Sequence, residues 1–463
     1  MLRRLLVPAL AALVGAVAVA PAALAAPPTP GPISAVSAAP GPGAGQVTFR
    51  WTATGSNTTS FTIETGLTTF STTDPSLPDH GRSARTFTVS GTRRSVTLTA
   101  SQLASAGASL GSANHLFYRF RAVNHTSAGT TTRAWPYLQS VGVRPVSSGT
   151  GGTVLRVASF NVHTATPVAG FPSWQSRVGK VADTILSRNP GVVGLQELGI
   201  TPANGSTTPS LTAQTQAQSL VAALAAKGAG RYKLVRTNRY VAPGTASAIQ
   251  GARILYDSSR YRLVSSCPDT TNGAIWSSSC IVPLRLRSGD SEWVRRHAAY
   301  ATLQEVATGR RFLVVSAHLD QRHSSTATTD TAYETLRAGQ VADVLARVAA
   351  VNTAGLPVVL AGDLNTYQQN VGGYLAHDAL VRAGYYDTAA AVTQVNLRYS
   401  TMNHMACTVT IPRVGSFAGW GSRLDVVMVK GARGVVRWED VVVPSQCARA
   451  SDHNMVVADI RLP

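Results

Sequence analysis

Eight polar side chains stand where apolar runs of this 463-residue chain begin or end. The run Val154–Phe160 closes on Asn161. Val192 to Leu195 is followed by Gln196-Glu197. A central run closes on Ser316-Ala317-His318-Leu319-Asp320, and the next on Gly362-Asp363-Leu364-Asn365. Asp425 follows Arg423-Leu424, and Ser451-Asp452-His453 precede Met455 to Ile460. Loops at strand ends are where α/β folds keep their chemistry. The set is rich in oxygen ligands and holds no thiol. That suits a hard divalent cation, with Mg²⁺ first and Mn²⁺ or Ca²⁺ behind it, rather than zinc. Around a phosphate ester, carboxylates would hold the metal, the metal would offset developing charge, and a histidine would move a proton. Taken singly, each motif has an ordinary reading as a turn, a cap or a strand end. The ordered set is the signal.

The elements that must position these residues follow an α/β grammar. Short buried strands are predicted at Val154–Phe160, Val192–Leu195, Ala252–Tyr256, Tyr261–Ser265, Tyr300–Gln304, Phe312–Ser316, Pro357–Leu360, Leu424–Val429 and Met455–Ile460. Helical periodicity covers Trp174–Ser187, Leu211–Lys227 and Thr331–Val351. Asn189-Pro190-Gly191 stops the first of these.

The first 150 residues read differently. Arg3 and Arg4 precede the apolar run Leu5–Ala20, and Ala23-Leu24-Ala25 supplies a small-x-small cleavage site. Residues 1–25 therefore read as an export signal, and the mature protein as secreted. Pro27–Gly45 reads as a flexible leader. From Gln46, Val47, Phe49 and Trp51 alternate with polar residues, as do Phe61 and Ile63, Phe87 and Val89, and the run His115–Asn124. This is the spacing of a small β-sandwich. Trp51, Tyr118-Arg119-Phe120-Arg121-Ala122-Val123-Asn124 and the following Ser-Ala-Gly make residues 31–145 resemble a fibronectin type III domain. The resemblance implies a spacer, or a module that binds an extracellular surface or polymer. Residues 146–152, rich in Ser and Gly, read as a linker.

The ordered set over 153–463 resembles the endonuclease/exonuclease/phosphatase superfamily. That resemblance implies a four-layer α/β sandwich around two mixed sheets, and metal-dependent hydrolysis of phosphoesters. It assigns Glu197 as the main metal carboxylate, with Asn161 beside it and Asp452 as a second acidic group. Asp363 and Asn365 would orient the attacking water and contact the phosphate. His453 would be the general base, oriented by Asp425, and His318 would touch the scissile phosphate or leaving oxygen. Two branches fit poorly. Leu198-Gly199 follows Gln196-Glu197 where apurinic endonucleases carry a lysine, and Asn454 follows His453 where inositol-phosphate phosphatases carry a basic residue. Gln250 stands near the place where a carboxylate partner of His318 is expected, and no acid is found there.

The formal net charge is +19, nearly all from arginine. It favours contact with polyanions. Arg295-Arg296-His297, Arg310-Arg311 and Arg231/Lys233/Arg236/Arg239 are the basic clusters. Nucleic acid is the leading substrate class, with a phospholipid phosphodiester second, and a catalytically inactive binding protein on the same fold as the reading outside enzymes. The chain is expected to be a monomer. Cys267, Cys280, Cys407 and Cys447 fit an oxidising compartment. Of the three connectivities, nearest-neighbour pairing is favoured. A bridge across Cys267–Cys280 would enclose Asp269, Asn272, Gly273 and Trp276, and would contribute about 3 kcal/mol.

Overall fold

In the computed structural model, the described residues are 25–40, 46–66, 85–104, 115–135, 139–142, 153–199, 201–206, 213–237, 251–267 and 279–367. Of 370–463, all but 371, 392, 398, 408–412, 415–416, 419–420, 444–446 and 448 are described. The export signal up to Leu24, the linker, Arg239, Gln250 and the residues between Cys267 and Ser279 lie outside this set.

The N-terminal region is all β. One sheet orders Ile33–Pro40, Val47–Ala53 and Ser95–Leu98. Another orders Arg85–Ser90, Ser60–Gly66, His115–Thr126 and Gly129–Ala134, with Gln139–Gly142 paired to His115–Thr126. Residues of both sheets share one apolar cluster, in which Trp51 packs on Phe61 and Phe120. The expected leader is corrected here. Ile33–Pro40 pairs antiparallel with Val47–Ala53, and Val36 is buried. Its small side chains hide a strand that a backbone ladder needs no bulk to form.

Beyond Thr153, two sheets of seven strands pack between two helical layers. The first sheet orders β3 (Tyr232–Leu234), β4 (Arg253–Asp257), β2 (Val192–Gln196), β1 (Val154–Asn161), β14 (Val456–Arg461), β13 (Gly434–Asp440) and β11 (Thr393–Val395). The second orders β5 (Tyr261–Leu263), β7 (His297–Glu305), β8 (Arg311–His318), β9 (Val358–Asp363), β12 (Asp425–Lys430) and β10 (Tyr386–Asp387), with β6 (Ile281–Pro283) added to β7. Leu155, Val157, Val456 and Ile460 of the first sheet meet Phe312, Val314, Val359 and Val427 of the second in the central core. Helices α1 (Trp174–Arg188) and α2 (Gln216–Ala226) cover the outer face of the first sheet. Helices α3 (Ala327–Val351) and α4 (Leu375–Arg382) cover that of the second. This is the expected four-layer sandwich.

The two helices on the first sheet begin at side-chain caps. Ser173 caps α1, and Asn189 ends it in the left-handed conformation. Thr215 and Gln218 form a reciprocal capping box on α2. The two sheets approach closely at Gly194, where a Cβ would lie 2.6 Å from that of Ala361. Just beyond it, the buried Gln196 amide donates to Ser316 Oγ at 3.2 Å, and that hydroxyl donates to Leu195 O at 3.0 Å. Gln196 thus ties the two sheets together beside the site. The disulfides are Cys267–Cys280 and Cys407–Cys447.

Candidate active site

The register brings the polar strand ends to one edge of the sandwich. Asn161 lies opposite Gln196 in the parallel pair β1–β2. His318 lies opposite Asp363 in β8–β9, and Asp363 opposite Asp425 in β9–β12. His453 forms a bridge with Met402 just before β14, which pairs with β1.

Asp363 is the hub. Its Oδ2 accepts from Asn161 Nδ2 at 3.0 Å, and its Oδ1 accepts from the backbone N–H of Asn365 at 2.9 Å. His318 Nε2 stands 3.5 Å from Oδ2, and His453 Nε2 stands 3.9 Å from it. His453 Nδ1 lies 2.8 Å from Asp425 Oδ2. Burial disfavours its imidazolium, but Asp425, Asp363 and Asp452 outweigh burial and hold it well above the ordinary histidine value.

His318 is held differently. Its Nδ1 is 2.9 Å and its Nε2 3.3 Å from the guanidinium of Arg296, which also reaches Gln321. A guanidinium only donates, so the ring nitrogen that faces Arg296 acts as the acceptor, and Nε2 also stands near Asp363. Burial and the Arg296 charge push His318 well below its ordinary value. The partner of His318, expected to be a carboxylate, is a cation that stands just before β7. The Arg295-Arg296-His297 cluster is accordingly no solvated face, because Arg296 and His297 are buried. In the same way, Arg236 is buried, and Arg231 pairs with Asp257.

The remaining acids face Asn161. Glu197 Oε1 lies 3.2 Å from Asn161 Nδ2, and Oε2 accepts from Thr164 N–H at 2.9 Å. The Asn161 amide oxygen accepts from His163 N–H at 3.0 Å, so its nitrogen faces the carboxylates as a donor. Turning that oxygen toward a cation would cost the His163 contact. Ser451 Oγ donates to Asn161 O at 2.6 Å, joining the Ser-Asp-His loop to β1. Burial works against the Asp452 carboxylate, yet contacts from His163 and the charge of His453 hold its pKa below the usual range. Glu197, His163 and Asn365 all have positive φ, at 58°, 57° and 48°. Such conformations persist in non-glycine residues where the surroundings impose them.

Sequence reasoning missed three contributors. His163 places Nδ1 3.3 Å from Asp452 Oδ2 and 3.9 Å from Glu197 Oε2. Its spacing two residues after Asn161 was an available signal. Arg296 sat inside a basic run with no mark of its inward direction. Arg177, on α1, donates to the carbonyls of Val162, His163, Thr164 and Ala450, clasping the two loops that carry Asn161 and His453. Burial lowers its pKa to about 10, against the pull of Asp452 and Glu197.

Among the described residues, no lysine or arginine forms an ion pair with Glu197, Asp363, Asp425 or Asp452; their charged neighbours within 4 Å are histidines. That excess of carboxylate fits a divalent cation. Ligand atoms of Asp363, Asp425 and His453 crowd within 4.8 Å of one another. Within that trio, His453 Nδ1 and Asp425 Oδ2 lie at hydrogen-bond distance, 2.8 Å, which suits a pair that handles a proton. Glu197 and Asp452, with His163 between them, are the residues that fit a metal.

Residues 158–453 match the Endonuclease/Exonuclease/phosphatase family. The chain belongs to that family. Its members are hydrolases acting on phosphoester bonds. No curated protein matches the chain. Among solved structures it is similar to a family member from Bacteroides vulgatus, with 20% identity, TM-score 0.48, and 67% of this chain and 100% of that one covered. A mannosyl-6-phosphatase from Bacteroides thetaiotaomicron has 17% identity and TM-score 0.48, over 66% of this chain and 99% of that one. The human Nocturnin catalytic domain with bound sulfate has 19% identity and TM-score 0.43, over 67% and 94%.

Proposed function

We propose that this family member is a secreted, divalent-metal-dependent phosphodiesterase acting on DNA or RNA. The observation that carries this reading is the His453–Asp425 pair, 2.8 Å apart, with the free imidazole nitrogen turned toward Asp363. Asp425 accepts the Nδ1 proton, which leaves Nε2 to take a proton from water. The water oxygen then attacks phosphorus in line with the leaving oxygen, and the phosphoester P–O bond breaks. Asp363 and Asn365, fixed by their mutual hydrogen bond, orient the water and the phosphate. Neutral His318 donates its Nε2–H to the oxygen that gains charge. A cation held by Glu197 and Asp452, with Asn161 ordering Glu197, would supply charge stabilisation at the phosphate when bound. Mg²⁺, Mn²⁺ and Ca²⁺ all suit carboxylate ligands.

Residues 1–25 are proposed as the export signal, 31–145 as a fibronectin type III-like module, 146–152 as a linker and 153–463 as the catalytic domain of a monomer. The two disulfides suit an exported protein, and among the described residues no helix is long and apolar enough to cross a membrane. One observation favours a phospholipid as the second substrate class. Trp293 is 58% exposed and Val294 47% exposed, on the turn Glu292–Val294 that leads directly into Arg296. An inactive binding protein would have no use for the Asp425–His453 pair.

The test is a panel of plasmid DNA, RNA, sphingomyelin and a chromogenic phosphodiester, with and without chelator. Nucleic acid is expected to be cut, with chelation abolishing activity and Mg²⁺ or Mn²⁺ restoring it. Preference for sphingomyelin selects the lipid reading. Full activity in a metal-free preparation sinks the mechanism.

A further inference from the structure

We infer that His163 is a nitrogen ligand in the metal site of Glu197 and Asp452, and that it biases the site toward Mn²⁺ over Mg²⁺. The inference rests on the metal-dependent reading above and adds the identity of the donor that sets ion preference.

His163 is 8% exposed, and its Nδ1 faces both carboxylates, 3.3 Å from Asp452 Oδ2 and 3.9 Å from Glu197 Oε2. Two ligands each about 2.15 Å from a common ion stand about 3.3 Å apart when the angle between them is about 100°. The His163–Asp452 distance therefore has the span of adjacent ligands on one ion. The Glu197 distance is wider, and Glu197, with 24% of its side chain exposed, has freedom to close it.

The ring is set in place before any ion arrives. The backbone of His163 sits at φ 57°, in the left-handed region. Its N–H is held by Asn161 Oδ1, and its carbonyl by Gln216 Nε2 at 2.9 Å and Arg177 at 3.3 Å. The imidazole stacks on Phe171, with centroids 4.8 Å apart. Its Nε2 is buried and makes no hydrogen bond. The ring is thus buried with Nε2 unpartnered, on a left-handed backbone that its surroundings impose, and Nδ1 is the nitrogen left to meet a ligand. That nitrogen faces two carboxylates whose ion-pair neighbours among the described residues are histidines.

Replacing one oxygen donor by imidazole changes ion preference. Mg²⁺ and Ca²⁺ take oxygen ligands, whereas imidazole suits the first-row transition ions. Mn²⁺ is the member of that series that also accepts carboxylates readily. The competing role for His163 is a hydrogen bond to Asp452 with no contact to the ion.

The experiment uses the metal-stripped mature chain, loaded with Mn²⁺ and read by pulsed electron paramagnetic resonance for directly bound ¹⁴N. Calorimetric titrations with Mn²⁺ and Mg²⁺ accompany it. The wild type should show ¹⁴N coupling. His163→Asn should lose that coupling and weaken Mn²⁺ binding at least ~10-fold, with Mg²⁺ affinity changed less than about 3-fold. Asn is chosen because it tolerates positive φ, and a melting curve checks its folding. If it fails to fold, the wild-type spectrum and His163→Asp carry the decision. Mn²⁺ bound without ¹⁴N coupling, or coupling that survives in His163→Asn, overturns the inference and leaves the metal-dependent reading standing. Absence of binding by either ion overturns both.

Discussion

Two histidines face the same oxygen of Asp363, and they are held by opposite charges. His453 comes from the loop before β14 and rests on the carboxylate of Asp425. His318 ends β8 and rests on the guanidinium of Arg296. Both rings are buried, so burial pushes both toward the neutral form. The carboxylates around His453 reverse that push, and Arg296 reinforces it for His318. In the proposed mechanism one ring is a proton acceptor of raised affinity, and the other a neutral donor. The partner, more than the residue type, assigns the role.

The largest expected effect comes from the acceptor side. His453→Ala should lower turnover by ~10² to 10⁴ with little change in Tm. Asp425→Asn should reproduce much of that loss, and the double mutant should fall short of the sum, because the two act as a unit. In the wild type, activity should fall on the acid side as His453 gains its proton. The surrounding carboxylates raise its affinity, so that limb should extend above pH 6.5, the ordinary histidine value. A His453→Ala enzyme that melts earlier yet turns over normally would reduce His453 to packing.

The donor side is predicted to respond less. Arg296→Gln keeps an N–H for His318 Nδ1 but removes the charge. Turnover should drop on the order of 10-fold. The pH–rate profile should also gain an ionisation, because His318 loses the cation that kept it neutral. A profile and turnover identical to wild type would show that Arg296 only fills space beside His318.

The comparison also marks where the sequence was legible. His453 and Asp425 were readable because each adjoins an apolar run whose register follows from burial. The first catalytic-region helix was predicted at Trp174–Ser187 and observed at Trp174–Arg188, since periodicity and the Asn189-Pro190-Gly191 stop agree. The long helix begins at Ala327, one turn before the predicted Thr331, where Thr and Asp gave no apolar period. The partner of His318 was not readable. Arg296 precedes β7 in a run of basic residues, and only the fold shows that Arg295 stays half-exposed while its neighbour turns inward. His163 was hidden because its direction depends on a positive φ that no propensity assigns to histidine. The leader misread at Ile33–Pro40 has the opposite cause: its backbone pairing carries almost no side-chain signature.

A third histidine supplies the smallest and sharpest check. His297 adjoins Arg296 on β7 and has no charged partner within ion-pair distance among the described residues. It is 3% exposed, and its Nδ1 is buried without a hydrogen bond. Burial and the nearby Arg295 lower its pKa to about 4. It thus shows the balance when burial and a neighbouring arginine outweigh the one carboxylate, Glu292, that works against them. The folded state keeps His297 neutral, while the unfolded chain protonates it near pH 6.5. Between those values the unfolded state binds more protons, so stability rises with pH and is lost as pH falls through the window. From pH 7 to pH 5 this one group should cost about 2 kcal/mol. Urea unfolding of wild type and His297→Gln at both pH values isolates that contribution, because the other titrating groups are common to the two proteins. The variant is less stable at pH 7 through lost packing, but its loss between pH 7 and 5 should be smaller than the wild type's by that amount. Parallel losses in the two proteins would mean that His297 is protonated in the folded state, and that burial alone does not set the proton affinity of these rings.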